Sequence, residues 1–348
     1  MTVNYLVTGA AGSLGSNIVR SLLSHGQDVR GLVLPGDPTA KYLPKEVELC
    51  EGDVLNVDDL QRFFAVPADA EVIVVHAAGI VSTEWGYSSK VYDVNVCGTR
   101  NIVEQCLHAR VRRLVYISSV HAIPELPKGQ TITEISSFDP DAIVGFYGKT
   151  KAEASQIVMD AVRERNLDAV IIFPTGMCGP GDFAGYASQL LIDCANSKLP
   201  VGIQGGYDFA DVRDVAEGIV TACELGRKGE GYIMGNRYIS IKEMLQLVHE
   251  INGGRLVKCM VPPWVARIAL PFYGVYYKVK KKRPIFNRYA LYAITSNSVF
   301  SSEKAQRELG YKVRPFRETI SDTIKWLDKV GKLQTASSKM RTHERYAE

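Results

Sequence analysis

Six short apolar or β-branched runs alternate with stretches of helical periodicity across the first 175 residues, and this rhythm leaves few architectures open. Tyr5-Leu6-Val7 starts the first strand, and Gly15 to Leu23 reads as the helix after it. Val29 to Leu34 predicts a second strand and Val47 to Leu49 a shorter third. Val72 to Val75 is apolar without a break, as a strand buried on both faces requires. Leu114 to Ile117 and Val170 to Phe173 complete the set. Strands joined by crossover helices form a parallel sheet. The expected fold class is therefore α/β, a doubly wound parallel sheet with a smaller, mixed carboxyl-terminal lobe.

The segment Thr8-Gly9-Ala10-Ala11-Gly12-Ser13-Leu14-Gly15 leaves the first strand and opens the first helix. Glycines at such a corner allow a tight turn, close backbone approach to a pyrophosphate and close packing of helix on strand. The helix N-terminus adds unpaired N–H groups and a positive dipole end. Together these predict a dinucleotide site in a domain spanning 1–175, with returning elements about 208–236. Past Pro174 the chain turns rich in Gly and Pro, with helical patterns near 186–197, 212–225 and 241–251. That part reads as an interleaved substrate lobe over 176–330, followed by a polar tail at 331–348.

Composition narrows the function. The chain has 348 residues, enough for about two domains of ~150. Lys and Arg exceed Asp and Glu by only 41 − 38 = +3, which argues against nucleic acid as a partner. No apolar stretch reaches the ~18 residues of a transmembrane segment, since Arg267 and Pro271 interrupt the best candidate at Val265 to Tyr277. Seven cysteines, odd in number and without a CxxC, fit neither a disulfide framework nor a metal site. The reading is a reduced, cytoplasmic enzyme, and the amino-terminal strand motif leaves no room for a signal peptide.

Tyr147 and Lys151 stand one helical turn apart. An ammonium beside a phenol favours the phenolate, so Tyr147 is expected to titrate below the usual ~10 and to exchange a proton with a carbonyl or hydroxyl oxygen. Some thirty residues earlier a strand ends in Ser118-Ser119, at the strand end where open α/β sheets bind ligands. Either hydroxyl could hold the substrate oxygen beside the phenol.

The Gly-x-x-Gly-x-x-Gly spacing, Ser118-Ser119, and Tyr147 with Lys151 resemble the extended short-chain dehydrogenase/reductase superfamily. Further motifs follow in order: Glu51 to Val54, His76 to Gly79, Asp93 to Thr99, Phe173 to Gly176 and Asp211 to Ala216. The resemblance covers about residues 3 to 330. It implies Ser119, Tyr147 and Lys151 as the catalytic set, Ser119 matching the last serine of the strand-end motif. It implies NAD or NADP held by Gly9, Ala11, Gly12, Ser13, Leu14, Gly15, Leu34, Asp53, Val54, Ala77, Ala78, Gly79, Asn95, Tyr147, Lys151, Pro174, Gly176 and Met177. A homodimer through the helices bearing Asn95 and Tyr147 is implied as well. Trp85, His121 and Tyr186 are candidate substrate contacts, and His76 reads as a core histidine.

The end of the second strand departs from the pattern. Leu34 stands where an arginine often meets the NADP phosphate, with Arg30, Asp37 and Lys41 nearby, so neither cofactor is favoured. Val29 to Val33, Asp208 to Asp214 and Phe300 to Ala305 resemble the branch of dihydroflavonol reductases and 3β-hydroxysteroid dehydrogenases. The expected function is NAD(P)-dependent interconversion of a bulky hydrophobic ketone or aldehyde, a small-molecule substrate, and its alcohol. The alternatives are a nucleotide-sugar epimerase or dehydratase with tightly held NAD, and a redox-sensing module without turnover. The region 184–210 lacks the arginines a sugar diphosphate needs, and an intact Ser119, Tyr147 and Lys151 argues against a pure sensor. Lys278, Lys280, Lys281, Lys282 and Arg283 read as a solvated face. With Trp264, Phe272, Tyr273, Tyr276 and Tyr277 they could instead make peripheral membrane contact.

Overall fold

The computed structural model describes residues 3–67, 70–183, 188–270 and 287–333. Its centre is a seven-stranded parallel sheet. The strands are β1 (Val3–Thr8), β2 (Asp28–Val33), β3 (Glu48–Glu51), β4 (Glu71–His76), β5 (Arg113–Ile117), β6 (Ala169–Pro174) and β10 (Gly231–Met234). Their order is β10-β6-β5-β4-β1-β2-β3, so the winding reverses between β1 and β4 and opens a crevice at those strand ends. The six runs seen in the sequence are strands within one or two residues of their expected bounds, and the doubly wound α/β class holds.

Alternation along each strand feeds two cores. Tyr5 and Val7 of β1 join one with Ile18, Val75 and Val215, while Leu6 joins the other with Val74, Ile102 and Val158. Continuous apolar runs are thus what a sheet covered on both faces demands. Helices α1 (Ser13–Ser24) and α7 (Val212–Leu225) pack together over the first face. The second face carries α2 (Val57–Phe64), α4 (Gly98–His108) and α5 (Phe146–Arg165). The short α3 (Ser89–Tyr92) runs through a π-helical turn, Asp93–Cys97, into α4.

A third core gathers α6 (Gln189–Ala195), α8 (Ile241–Asn252) and α12 (Phe316–Lys329) against a three-stranded sheet. That sheet is β7 (Gly176–Cys178), β9 (Gly206–Asp211) and β11 (Arg237–Ser240). A pair of two-residue strands, β8 (Gly202–Ile203) and β12 (Met260–Val261), borders it. A helical stretch over 263–270 (α9), α10 (Arg288–Thr295) and α11 (Glu303–Leu309) complete the described chain. Among the described residues no helix is long and apolar enough to cross a membrane. Tyr186, the aromatic and basic run at 272–283 and the tail beyond Leu333 lie outside them.

One carboxylate ties these parts together. Asp211, fully buried, ends β9 and caps α7 through the Arg213 N–H at 2.9 Å. Arg213 reaches back to Asp211 at 2.8 Å and across to Asp322 of α12 at 2.9 Å, and Arg314 binds Asp214 at 2.7 Å. Burial pushes the Asp211 pKa up, but the Arg213 hydrogen bonds and charge outweigh it and hold the carboxyl below its ordinary value. Asp211→Asn leaves the guanidinium under-compensated and should cost about 3 kcal/mol, read as a lower urea midpoint. An unchanged midpoint would contradict this role.

Candidate active site

The crevice is built around the glycine corner. Gly9 has φ +66°, and a Cβ there would come within 2.8 Å of the Ala78 backbone. A Cβ on Gly15 would lie 2.1 Å from the Gly9 carbonyl oxygen. These two glycines are demanded by the chain itself. Gly12 is not: a Cβ would meet only the Gly9 oxygen, at 3.2 Å. Gly12 caps α1 with no side-chain hydrogen bond, and the first turn has no acidic residue. A bare, uncapped helix start beside a small residue fits a pyrophosphate. Ala11, Ser13 and Leu14 belong to this corner, and the Thr39 hydroxyl lies 3.2 Å from the Ala11 carbonyl.

Across the crevice, Ala77-Ala78-Gly79 leaves β4 on a buried relay. The Ala78 N–H donates to Thr8 Oγ1 at 3.1 Å, and the Thr8 hydroxyl lies 2.8 Å from His76 Nδ1. His76 Nε2 meets Thr99 Oγ1 at 3.1 Å, and the Thr99 hydroxyl donates to the Asn95 carbonyl at 2.7 Å. With the Thr99 proton committed, His76 carries its proton on Nε2 and accepts at Nδ1. Burial, then the Lys151 charge, pushes its pKa down to about 3. It is a satisfied core histidine.

Asn95 sits in the π-helical turn, an irregularity common at functional sites. Its amide accepts from the Ile80 N–H at 2.8 Å and donates to the Ile80 carbonyl and Thr150 Oγ1, each at 3.1 Å. It fastens the loop after β4 to α5. Asp53 accepts from the Leu55 N–H at 3.0 Å, and Val54 fills the space beside Gly98. Pro174 ends β6 beside Met234, and Gly176 and Met177 open β7, with Gly176 against the Phe209 ring.

Leu34 lies one residue past β2 and is 55% exposed. Arg30 is committed elsewhere, to the Phe63 and Ala65 carbonyls at 3.0 and 2.7 Å and to Glu48 at 2.9 Å. Asp37 binds the Thr39 hydroxyl at 2.6 Å, and Lys41 lies over the Tyr42 ring at 5.0 Å.

At the end of β5 the two serines separate. Ser155 donates to the Lys151 carbonyl at 2.8 Å, so the Ser118 hydroxyl, 2.7 Å away, donates to Ser155. Ser118 is a fastener. Ser119 Oγ accepts from the His121 N–H at 3.2 Å and lies beside the Tyr147 phenol. Lys151 Nζ donates to the Ile117 carbonyl at 2.7 Å and lies 3.4 Å from the Tyr116 hydroxyl. A Cβ on Gly79 would approach that Nζ to 3.5 Å, so the ammonium closes the floor between β4 and β5.

The expected depression of the Tyr147 pKa is not present. Burial raises it to about 12, with the Ser119 hydroxyl pulling the other way, and burial lowers Lys151 to about 7. Both are only 6% exposed, and enclosure disfavours both charges.

His121 stacks on Tyr207 at 5.6 Å, with its Nε2 3.3 Å from that hydroxyl, and meets Tyr147 edge-on at 6.1 Å. Burial pushes it down to about 4. Trp85 stands further out, edge-on to Tyr289 and Tyr292 at 6.3 and 6.1 Å. Sequence reasoning missed Tyr207, Tyr289, Tyr292 and Ser155. Ser155 alone left a signal, on the same helical face as Tyr147 and Lys151.

The doubly wound sheet, its glycine corner and the relatives it matches mark an NAD(P)-dependent oxidoreductase of the short-chain type. Residues 5–235 match the model of the NAD dependent epimerase/dehydratase family, and the chain belongs to that family. "Sterol demethylase protein B" of Methylococcus capsulatus is 29% identical over 334 residues, covering 94% of this chain and 98% of that one. A "Putative dihydroflavonol 4-reductase" of Synechocystis is 28% identical over 339 residues, covering 95% and 96%. The solved structure titled gox2253 is 30% identical, covers 96% of this chain and all of its own, and superposes with a TM-score of 0.81.

The His76 environment sets a pH dependence. Its folded pKa lies below the 6.5 of the free side chain, so the unfolded chain binds the extra proton and stability falls as pH drops below 6.5. Carboxylates titrate mostly below pH ~5, so the window from 7 to 5 isolates histidines. His76→Gln should flatten the fall of urea midpoint between those values. An unaltered slope would contradict a neutral buried His76.

Proposed function

We propose that the chain interconverts a bulky hydrophobic ketone or aldehyde and its alcohol with NAD or NADP, Tyr147 acting as general acid and base. The pairing of the Ser119 and Tyr147 hydroxyls beside the cavity at His121 carries this reading. A cavity next to His121 is lined by Ile123, Ile132, Ile143 and Phe300 together with Glu125, Ser296 and Asn297, a mixed lining that suits a hydrocarbon frame carrying oxygen substituents. The sterol and dihydroflavonol named for the two relatives are of that kind.

A bound nicotinamide supplies or accepts the hydride. Gly9 to Gly15 would hold the pyrophosphate, Asp53 the adenine end, and Ala77 to Gly79 with Lys151 the ribose nearer the reacting carbon. The protein's own part is the oxygen. Ser119 donates to the substrate carbonyl and fixes it beside Tyr147. With its pKa raised to about 12, the phenol is protonated at neutral pH and ready to donate as the alkoxide forms. Ser119 then steadies the phenolate.

Tyr147→Phe should keep cofactor affinity and lower kcat by ~10²–10⁴-fold, measured from nicotinamide absorbance with ketosteroid and aromatic aldehyde substrates. Near-normal turnover would end the mechanism. With Arg30 engaged and Leu34 exposed, discrimination between the cofactors should be modest. Leu34→Arg should shift the kcat/KM ratio toward NADP, because the guanidinium fork matches a phosphate. An unmoved ratio would put the adenine ribose elsewhere.

A further inference from the structure

Tyr42 and Phe183 lie face to face, their ring centroids 3.9 Å apart and their planes 5° from parallel. Tyr42 stands on the connection between β2 and β3, and Phe183 on the segment that follows β7. Neither ring enters the three cores, and Tyr42 is 42% exposed. Part-exposed rings add little to a core. What this stack does is hold two loops together.

Each ring is anchored on its own side. The Tyr42 carbonyl accepts from Arg20 of α1. Phe183 meets Trp326 of α12 edge-on at 5.2 Å, and its carbonyl accepts from Lys332 Nζ at 2.8 Å. Both loops also touch the glycine corner. Thr39, three residues before Tyr42, sets its hydroxyl beside the Ala11 carbonyl. From the other loop the Pro180 carbonyl accepts from Asn17 at 3.2 Å, and Asn17 donates as well to the Ser13 carbonyl at 2.8 Å. Gly181 permits that approach, because its φ is +100° and a Cβ there would lie 2.9 Å from Asn17 Nδ2. Asn17 and Arg20 are one turn apart on α1. The stack therefore bridges the helix whose first turn faces the pyrophosphate.

We propose that the Tyr42–Phe183 stack is a latch between the parallel-sheet part of the chain and the third core, and that its opening limits how fast a bound nicotinamide dinucleotide leaves the crevice. This rests on the dinucleotide reading of the glycine corner and adds a kinetic element to it. The two parts are also joined where Arg213 links the fully buried Asp211 to Asp322 of α12. That junction is anchored in the interior and stays made. The stack is a surface contact, so it is the side that can part. A crevice with one firm edge and one weak edge opens at the weak one, and a cofactor held inside waits for that opening.

The full chain loaded with NADH, and separately with NADPH, tests the latch. Release is followed by stopped-flow nicotinamide fluorescence on mixing with an excess of the oxidised dinucleotide. Tyr42→Ala and Phe183→Ala should each speed release by about three- to tenfold, the range that one aromatic pair supplies. Tyr42→Phe keeps the ring and should release at the wild-type rate. The double alanine variant should be no faster than either single one, because the second truncation finds no contact left to break. Unchanged release in the alanine variants overturns the proposal. So do effects that multiply in the double variant, which mark two independent contacts, and so does Tyr42→Phe matching Tyr42→Ala, which assigns the effect to the hydroxyl. If Phe183→Ala does not fold, the comparison of Tyr42→Ala with Tyr42→Phe decides. In each of these cases a wild type that binds NADH or NADPH leaves the dinucleotide reading standing. A wild type that binds neither overturns that reading and the latch with it.

Discussion

The seating of α5 on the end of β5 is the contact on which the site depends. Two hydrogen bonds make it: the Ser118 hydroxyl to Ser155 Oγ, and Lys151 Nζ to the Ile117 carbonyl, each at 2.7 Å. Both are buried, where breaking a pair leaves a polar group with no water to turn to. They set the helix against the strand so that Ser119 meets Tyr147 two turns upstream of Ser155. Asn95 adds a third fastening by joining Thr150 to the loop after β4. The ends of β4 and β5 are thus tied to α5 by side chains, not by packing alone.

Enclosure has a second consequence. The titratable groups at the centre all favour their uncharged forms, with His76 lowered to about 3, His121 to about 4, Lys151 to about 7, and Tyr147 raised to about 12. A low-dielectric pocket makes each hydroxyl a stronger hydrogen-bonding group than it would be in water. It also leaves Tyr147 with its proton, the form that reducing a carbonyl needs. The lysine motif implies an opposite shift because it counts one neighbouring charge and omits desolvation.

The sheet was legible in the sequence because period and position agree. Continuous apolar runs such as Val72 to Val75 belong in a doubly covered sheet, and the glycine corner marks where the first strand hands over to a helix. The choice between Ser118 and Ser119 was not legible from the strand itself. It depends on Ser155, 37 residues further on, which takes up one of the two hydroxyls. Tyr207 and Tyr289 were hidden for the same reason, since nothing local in their segments declares that β9 and α10 converge on His121. Helix periodicity at 212–225 was readable to the residue, whereas α12 owes its place to Asp322 and the third core.

The division of labour between the adjacent serines tests the account most directly. Ser118→Ala and Ser119→Ala differ by one position and can be compared by urea midpoint and by kcat for ketone reduction. The account predicts a crossover. Ser118→Ala should lower stability by about 1 kcal/mol and change kcat only slightly, because it removes a buried hydrogen bond away from the substrate oxygen. Ser119→Ala should lower kcat by ~10²-fold or more, because it removes a donor aimed at the developing charge. If Ser118→Ala proved the more damaging to kcat, or if both lost activity equally, the separation of fastener from catalyst would be wrong.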